Sequence, residues 1–341
     1  MATRVLIVED SPLMQRLLAA LIGAHDDLKV AGIAADPIDA REKIKALRPD
    51  AITLDVEMPR MDGITFLERL MRLRPMPVVM VSALTEANAE VTLRALELGA
   101  VDFVAKPRGD DPAEVERFGA ELAEKLRGAA AAEPRPFGET AGGTTAHAAA
   151  FRPGSLVAVG GSTGATEAIR EFLARLPANA PPVAIVQHMP EMFTRMFARR
   201  LDEHCALKVT EAEEGEPLLA GHAYVAPGDR HLRVEAAAAG YVARIDREAP
   251  VNRHRPSVDV LFHSAARAAG AKAAGVILTG MGRDGAEGLG ALARAGAATF
   301  AQDRASCVVF GMPRAAIEAG HAGAVDNVEG IARRVVDALR R

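Results

Sequence analysis

The sequence has little of what marks a nucleic-acid-binding or a disulfide-rich protein. Its 341 residues include no Trp and only 2 Tyr, so the chain lacks the aromatic side chains on which unpaired bases stack. A formal net charge of -4 provides no basic field for a phosphate backbone. The 2 cysteines, Cys205 and Cys307, form no CxxC motif, which indicates a reducing compartment. We therefore expect no nucleic-acid partner and no disulfide framework.

Long apolar runs are also missing. No run approaches the ~18 apolar residues of a membrane-spanning helix. The chain starts "MATRVLIVED", which leads directly into a strand pattern and contains neither the apolar core nor the cleavage site of a signal peptide. The sequence therefore predicts a cytoplasmic protein that does not insert into membranes.

The length and one low-complexity stretch predict two domains. A chain of 341 residues is long enough for two hydrophobic cores. Periodic patterns fade near Arg127 and resume near Ser155, and the stretch between them is rich in Ala, Gly, Pro and Thr. We therefore predict an N-terminal domain over 1–127, a flexible linker over 128–153 and a C-terminal domain over 154–341.

The N-terminal domain alternates apolar runs with helical patterns. The predicted strands are "RVLIVE", "LKVAGIA", "AITLD", "PVVMVS" and "VDFVAK". Five βα units of this length are typical of a doubly wound α/β fold with a five-stranded parallel sheet. In such a sheet the carboxyl ends of the strands form one edge, where functional groups gather.

Polar residues stand at the carboxyl ends of four of these predicted strands. They are Glu9, Asp10, Asp55, Ser82 and Lys106. Three converging carboxylates repel each other unless a hard cation lies among them, and oxygen ligands suit Mg²⁺. The lysine and the hydroxyl would hold the oxygens of a phosphoryl group transferred to one carboxylate. The alternative is a set of ordinary turn residues, because Asp and Ser often end strands.

The C-terminal domain is also predicted to be α/β, and a glycine-rich turn follows its first strand. A buried strand over 156–159 is followed by Gly160-Gly161-Ser162-Thr163-Gly164 and then by a helical pattern. This arrangement fits the G-x-S-x-G motif that exposes a nucleophilic serine. Two alternatives stay open on this motif alone: a phosphate-binding loop at a helix N-terminus, or Ser162 as the helix N-cap.

Two further strand ends carry residues that would complete a catalytic set. His188 follows "VAIVQ", and Asp284 lies in the glycine-rich turn after "GVILTG". Taken singly, each has an ordinary explanation, as a structural histidine or a helix cap. Together with Ser162 they provide a nucleophile, a base and an orienting carboxylate. Their order in the chain, Ser-His-Asp, differs from that of the α/β-hydrolase fold.

The N-terminal domain resembles a two-component receiver domain over nearly all of residues 3–125. The matching stretches are "LIVEDSPLMQRLL", "DAITLDVEMPRMDGITFLERL", "VVMVSALTE" and "GAVDFVAKP". The resemblance implies a flavodoxin-like fold in which Asp55 is phosphorylated by a histidine kinase of the CheA type. By this resemblance, Glu9 and Asp10 bind Mg²⁺ together with Asp55. Ser82 and Lys106 contact the phosphoryl group, and Phe103 is the aromatic switch residue. The resemblance also implies a cis Lys106–Pro107 bond, whereas the low frequency of cis X-Pro bonds favours trans.

The C-terminal domain is similar to the catalytic domain of chemotaxis methylesterases of the CheB family, over about residues 154–340. The matching stretches include "GGSTGATEAIR", "VQHMP", "NRHRPSVDVLF" and "ILTGMGRDGAEGL". The resemblance implies a doubly wound α/β domain in which Ser162, His188 and Asp284 form a catalytic triad. It further implies an oxyanion site made by the Met281 backbone N–H and the Thr163 side chain.

The same resemblance implies the substrate and its control. The substrates would be glutamyl methyl esters on methyl-accepting chemotaxis receptors, hydrolysed to methanol without a cofactor for the ester step. Deamidation of receptor glutamines uses the same acyl chemistry, and phosphorylation of the receiver would lift a restraint on the esterase. Family members usually have Ala and Gly where this chain has Gly161 and Ala165. An alternative of another class is a response regulator whose output domain binds a protein without catalysis.

Overall fold

The computed structural model describes residues 2–58, 61–83, 85–109, 111–132 and 149–341. The chain divides into two compact units, and residues 133–148 lie between their described parts. Each unit has its own parallel sheet and its own buried apolar core. Among the described residues, no helix is both long enough and apolar enough to cross a bilayer.

The N-terminal unit is a five-stranded parallel sheet with a helix after each strand. The strand order is β2-β1-β3-β4-β5, which is the flavodoxin-like order of a doubly wound sheet. Its elements are β1 (Thr3–Val8), α1 (Pro12–Gly23), β2 (Leu28–Ala34), α2 (Pro37–Leu47), β3 (Ala51–Asp55), α3 (Gly63–Leu73), β4 (Val78–Ser82), α4 (Glu86–Glu97), β5 (Asp102–Ala105) and α5 (Pro112–Ala130). The fold class predicted for this unit is confirmed.

Local sequence signals explain where its helices begin. Helix α1 starts at a proline after Ser11, whose side chain accepts a hydrogen bond from the Met14 N–H. Helix α2 also starts at a proline, and the Asp36 side chain accepts from two backbone N–H groups of the first turn. Strands β3 and β4 are buried along their whole length, because helices cover both faces of a doubly wound sheet. The carboxyl edge of the sheet is therefore the place left for polar groups.

The C-terminal unit contains a seven-stranded parallel sheet and a separate three-stranded antiparallel sheet. Their strand orders are β15-β14-β13-β6-β7-β10-β8 and β11-β12-β9. The elements are β6 (Leu156–Gly161), α6 (Ala165–Ala174), β7 (Val183–Gln187), α7 (Glu191–His204), β8 (Lys208–Glu211), β9 (Pro217–Leu218), β10 (His222–Val225), β11 (His231–Ala237), β12 (Gly240–Asp246), α8 (Val258–Ala269), a 3₁₀ turn (Gly270–Lys272), β13 (Ala273–Ile277), α9 (Ala286–Arg294), β14 (Ala298–Gln302), α10 (Met312–Glu318), β15 (Ala324–Asp326) and α11 (Val328–Leu339).

The strand order of the large sheet reverses next to β6. From β6 the chain moves to β7 on one side, and it later returns to β13 on the other side. In open α/β sheets such a reversal leaves a crevice outside the carboxyl ends of the strands. Ser162, His188 and Asp284 follow β6, β7 and β13, so the topology gathers all three at this crevice.

The ends of the predicted linker are structured. Helix α5 continues to Ala130, three residues into the predicted linker, because Ala and Arg are strong helix formers. Near the other end, the Asn179 side chain binds both backbone groups of Ala149, at 2.8 Å to the carbonyl and 3.3 Å to the N–H. Phe151 also forms a β-bridge with Arg340. The remaining residues of the predicted linker, 133–148, lie outside the described residues.

Two smaller features also differ from expectation. The sequence does not predict β8 and β9, because strands of 4 and 2 residues show too little alternation. The described cis peptide bond is Arg255–Pro256, so Lys106–Pro107 is trans, and the family-based expectation of a cis bond there is wrong.

Candidate active site and acidic pocket

Three carboxylates meet at the carboxyl edge of the N-terminal sheet. Ligand atoms of Glu9, Asp10 and Asp55 all lie within 4.8 Å of one another. Glu9 and Asp55 are buried, whereas Asp10 is exposed. The structure thus brings together the predicted metal ligands, and three hard oxygen donors suit a divalent cation such as Mg²⁺.

Lys106 is the cation closest to these carboxylates in the described structure. Its Nζ lies 2.9 Å from Glu9 Oε2 and 2.9 Å from Asp55 Oδ2. Burial opposes the lysine charge, but both carboxylates outweigh it and raise the pKa of Lys106. Burial also raises the pKa values of Asp55 and Glu9, and one lysine does not offset this effect. The pocket is therefore short of positive charge.

Ser82 and Phe103 lie on the neighbouring strands β4 and β5. Ser82 is the last residue of β4, is fully buried, and its backbone carbonyl accepts a hydrogen bond of 2.8 Å from the Lys106 N–H. Phe103 is buried in β5, and the Lys125 Nζ lies 5.0 Å from its ring centroid. The five predicted strand-end residues therefore lie at the carboxyl ends of the strands, whereas Phe103, the second residue of β5, pairs with Met80 in the middle of β4.

In the C-terminal unit, Ser162 lies in a sharp turn between β6 and α6. Its backbone N–H donates to the Thr279 carbonyl at 3.0 Å, and the Gln187 Nε2 donates to the Ser162 carbonyl at 2.9 Å. The N-cap of α6 is Gly164, whose φ of +74° favours glycine, and no side chain caps this helix. The alternative of Ser162 as a helix cap is therefore wrong.

Close packing couples positions 161 and 165 beside Ser162. A Cβ atom added to Gly161 would lie 2.4 Å from the Cβ of Ala165, which is closer than two non-bonded carbon atoms can approach. Positions 161 and 165 therefore share space for a single methyl group. The usual Ala/Gly pair and the Gly161/Ala165 pair of this chain each place one methyl there.

His188 lies directly beside the serine turn. Its backbone N–H donates to the Gly161 carbonyl at 3.2 Å, and its Nε2 lies 2.9 Å from Asp284 Oδ2. Because an ionised carboxylate only accepts, Nε2 carries the proton and Nδ1 carries the lone pair. Nδ1 is buried and has no hydrogen-bond partner among the described residues. The imidazole therefore keeps a basic nitrogen ready to take a proton.

Asp284 is buried and accepts five hydrogen bonds. Besides His188, its donors are the Asn252 Nδ2 at 2.7 Å, the Ser257 Oγ at 2.7 Å, and the backbone N–H groups of Val258 at 2.6 Å and Asp259 at 3.3 Å. Asp284 therefore sits at the N-terminus of α8, where the helix dipole favours a negative charge. Burial opposes ionisation, but the bonds from His188, Asn252 and Ser257 hold the pKa of Asp284 well below its ordinary value.

Three residues near this pair carry no signal that sequence reasoning detects. Asn252 and Ser257 bind Asp284, and the His254 ring stacks on the His188 ring with centroids 3.7 Å apart and planes 11° apart. All three belong to the stretch "NRHRPSVD", which is recognisable only as part of the family pattern. Its loop geometry includes positive φ angles at Asn252 and Arg253, which a hydropathy pattern does not report.

One of the two predicted oxyanion residues, Thr163, lies in the serine turn itself, and the other, Met281, follows a glycine that packs against Ser162. The Thr163 side chain is buried, and its carbonyl accepts a hydrogen bond of 3.0 Å from the Thr279 Oγ1. A Cβ atom added to Gly280 would lie 2.8 Å from the Cβ of Ser162, so the backbone just before Met281 packs against the serine. The main chain at 280–281 can approach Ser162 because residue 280 has no side chain.

Both units match known protein families. Family models match residues 5–114 as a response regulator receiver domain and residues 157–335 as a CheB methylesterase. A protein-glutamate methylesterase/protein-glutamine glutaminase from Dechloromonas aromatica is 53% identical over 99% of this chain and 98% of that protein. One from Bordetella parapertussis is 55% identical over 98% and 97%.

A solved structure matches the C-terminal unit. The crystal structure of the Thermotoga maritima CheB methylesterase catalytic domain is 39% identical with a TM-score of 0.53, covering 55% of this chain and 99% of that one. Together with the relatives that match nearly the whole chain, this similarity confirms the family resemblance of the sequence. The chain belongs to the CheB methylesterase family, with a response regulator receiver domain ahead of the methylesterase domain.

Proposed function

We propose that the chain hydrolyses glutamate methyl esters on chemotaxis receptors, with Ser162 as nucleophile, His188 as base and Asp284 as the orienting carboxylate. The observation that carries this proposal is the 2.9 Å bond between His188 Nε2 and Asp284 Oδ2 directly beside the serine turn. The unpartnered Nδ1 supports the role of His188 as the base. The names of the relatives, protein-glutamate methylesterase/protein-glutamine glutaminase, support the substrate class.

The reaction proceeds by acyl transfer. The Ser162 Oγ attacks the ester carbonyl carbon while His188 Nδ1 takes the hydroxyl proton, and Asp284 stabilises the imidazolium that forms. Collapse of the tetrahedral intermediate breaks the bond to the methoxy oxygen, which leaves as methanol with the proton from His188. Water, deprotonated by the same imidazole, then cleaves the acyl-serine and restores the hydroxyl. A glutamine side chain passes through the same steps and releases ammonia.

Charge develops on the carbonyl oxygen in the tetrahedral intermediate. The backbone N–H of Met281 and the side chain of Thr163 are the donors proposed for this oxyanion. The close approach of the 280–281 backbone to Ser162 supports the first of them. The position of Thr163 directly after the nucleophile supports the second.

The receiver unit is proposed to control this reaction. Asp55 accepts a phosphoryl group from a histidine kinase of the CheA type, and Glu9, Asp10 and Asp55 hold Mg²⁺, which neutralises phosphoryl oxygens when bound. Lys106 and Ser82 contact the phosphoryl group, and Phe103 responds as the aromatic switch. The charge deficit of the pocket and its position at the carboxyl edge support these roles. No observation favours the alternative of a non-catalytic, protein-binding output domain.

The decisive experiment measures methanol release from methylated receptor membranes. Ser162→Ala should lower the rate by ~10⁴-fold or more, because nucleophile, base and carboxylate act as a unit. The matched control is Ser155→Ala, just before β6, where the hydroxyl donates to the Arg152 carbonyl at 2.8 Å. This control should retain activity. A Ser162→Ala protein that releases methanol at a tenth of the wild-type rate contradicts the proposal.

A further inference from the structure

A single side-chain amide links the proposed triad to a second buried carboxylate. Asn252 lies in the loop between β12 and α8, and its Nδ2 donates one hydrogen bond to Asp284 Oδ1 and one to Asp259 Oδ2, both at 2.7 Å. Asp284 and Asp259 are only 1% and 5% exposed. The two N–H bonds of one NH₂ group are therefore both directed at carboxylates that water hardly reaches.

The two carboxylates oppose each other electrostatically. Burial raises the pKa of Asp259, and the negative charge of Asp284 raises it further, against the bond from the Gly288 N–H. Both acceptor oxygens lie 2.7 Å from the same nitrogen, so the Asn252 amide stands between them. Without this donor, the two negative charges face each other with no polar hydrogen between them.

The loop holds the amide in this position through several contacts. Asn252 has a φ of +52°, a conformation that Asn tolerates better than most residues. Backbone bonds between Val251 and His254 close the turn around it. The buried His231 binds the loop on both sides of Asn252, through the Ala249 carbonyl at 3.2 Å and the Ser257 N–H at 3.2 Å.

We propose that Asn252 is a positioning residue for ester hydrolysis: it fixes Asp284 through Oδ1 so that Oδ2 stays on His188. This inference rests on the proposed function, because it assumes that the His188–Asp284 pair does the proton transfer. Asp284 Oδ1 also accepts from Ser257 and the Asp259 N–H, whereas Oδ2 accepts from His188 and the Val258 N–H. Asn252 is the donor to Asp284 whose side chain also donates to the second carboxylate, Asp259.

The pH dependence of the reaction distinguishes this role from a purely structural one. The titratable groups around the pair are Asp259 on α8, His254 stacked on His188, and His263, whose charge acts on Asp259. The neighbouring Arg283 is exposed and pairs with Glu287. Removing the amide takes away the partly positive N–H group bonded to Asp284, so the electrostatic potential at the neighbouring imidazole becomes more negative and favours its protonated, inactive form. The acidic limb of the rate profile should therefore move to higher pH.

The test measures methanol release from methylated receptor membranes by the full chain as a function of pH and receptor concentration. Asn252→Gly keeps the positive φ and removes the amide. We expect kcat to fall about 10- to 100-fold with KM within about twofold, since a misplaced catalytic group costs rate rather than binding. The acidic limb should rise by about one pH unit. Arg253→Gly, which changes the neighbouring positive-φ residue, should leave the acidic limb in place.

A second-site variant keeps the test informative if the loop around residue 252 changes its conformation in Asn252→Gly. In the Asn252→Gly background, Asp259→Asn provides a new NH₂ group beside Asp284 and removes the opposing charge, so it should return the acidic limb toward wild type. In the wild-type background the same Asp259→Asn change leaves one acceptor oxygen for two donors, the Asn252 Nδ2 and the Gly288 N–H, and should lower kcat. Thermal unfolding of each protein confirms that it is folded.

The outcomes separate this inference from the proposed function. An inactive Ser162→Ala protein together with an Asn252→Gly protein of unchanged kcat and unchanged acidic limb overturns the role of Asn252 alone. A lower kcat with the acidic limb in place and no response to Asp259→Asn also overturns it. Activity that survives Ser162→Ala overturns the proposed function itself.

Discussion

Asp55 in the N-terminal unit and Asp284 in the C-terminal unit are both buried carboxylates beyond the carboxyl edge of a parallel sheet, and their surroundings differ. Asp284 has five donors from the chain itself, and its pKa is lowered. Asp55 shares Lys106 with Glu9, and the pKa values of both acids are raised by burial. At the carboxyl edge of one sheet, the protein therefore provides hydrogen-bond donors for the buried carboxylate Asp284. At the same edge of the other sheet, the buried carboxylate Asp55 has too little positive charge beside it.

The difference matches what each site is proposed to do. A triad must hold its charge in one geometry before any substrate arrives, so its donors belong to the protein. A phosphorylation pocket must bind a cation and a phosphoryl group. Its carboxylates therefore lack enough positive partners from the chain until those groups bind. We infer that the C-terminal site keeps one charge arrangement before and after substrate binds. The charge of the N-terminal pocket changes when a cation and a phosphoryl group bind.

The first effect expected from this contrast is stimulation by a small phosphodonor. With Mg²⁺, the phosphodonor should raise methanol release by the full chain about 5- to 150-fold, the range of coupling free energies of ~1–3 kcal/mol. Asp55→Asn should retain the basal rate and lose the stimulation, and a chelator should have the same effect on wild type. A stimulated Asp55→Asn protein would mean that another group accepts the phosphoryl group.

The close packing beside Ser162 provides the next test. Gly161→Ala should destabilise the C-terminal unit by about 1–3 kcal/mol and lower esterase activity, because the new methyl overlaps that of Ala165. Adding Ala165→Gly should restore much of both, measured as a double-mutant cycle of thermal unfolding and methanol release. If the double variant is no better than Gly161→Ala, the two positions do not share one methyl site.

The smallest effect concerns the stability of the receiver unit. Because the folded-state pKa values of Asp55 and Glu9 are raised, their contribution to stability is present below their unfolded pKa values and is lost as pH rises through the folded ones. At neutral pH without Mg²⁺, Asp55→Asn should therefore stabilise the unit by about 1 kcal/mol, a shift of a few degrees in calorimetry. Near pH 4 this gain should shrink.

The control for that measurement is Asp26→Asn, an exposed carboxylate of the same unit, which should change the unfolding temperature little. Mg²⁺ should raise the unfolding temperature of wild type more than that of Asp55→Asn, since a ligand that binds only the folded state stabilises it. A less stable Asp55→Asn protein at neutral pH would contradict the charge deficit of the pocket.

The sequence predicts the fold and the strand-end residues because both follow from patterns of short range. Alternating strand and helix patterns predict parallel sheets, and the strands of a parallel sheet end at the same edge. The sequence alone therefore places Asp55 near Lys106, and Ser162 near His188. The Ser-His-Asp set became specific only through the family resemblance. Each of its members has a common structural explanation when it is taken alone.

The donors around Asp284 could not be predicted in the same way. Asn252 reaches two carboxylates through a loop with positive φ angles, and His254 meets His188 across 66 residues of sequence. Such contacts depend on how the loop packs on the sheet, which no local pattern encodes. The shared methyl space of Gly161 and Ala165 likewise needs the turn geometry.

Methanol release by Asp284→Asn and Asp55→Asn, each with and without a phosphodonor, tests the central claim most directly. Asp284→Asn should lose about 10⁴-fold under both conditions, because an amide neither stabilises the imidazolium nor holds its tautomer. Asp55→Asn should keep the basal rate and ignore the phosphodonor. An Asp284→Asn protein within tenfold of wild type, or an Asp55→Asn protein without basal activity, would contradict the division of labour between the two units.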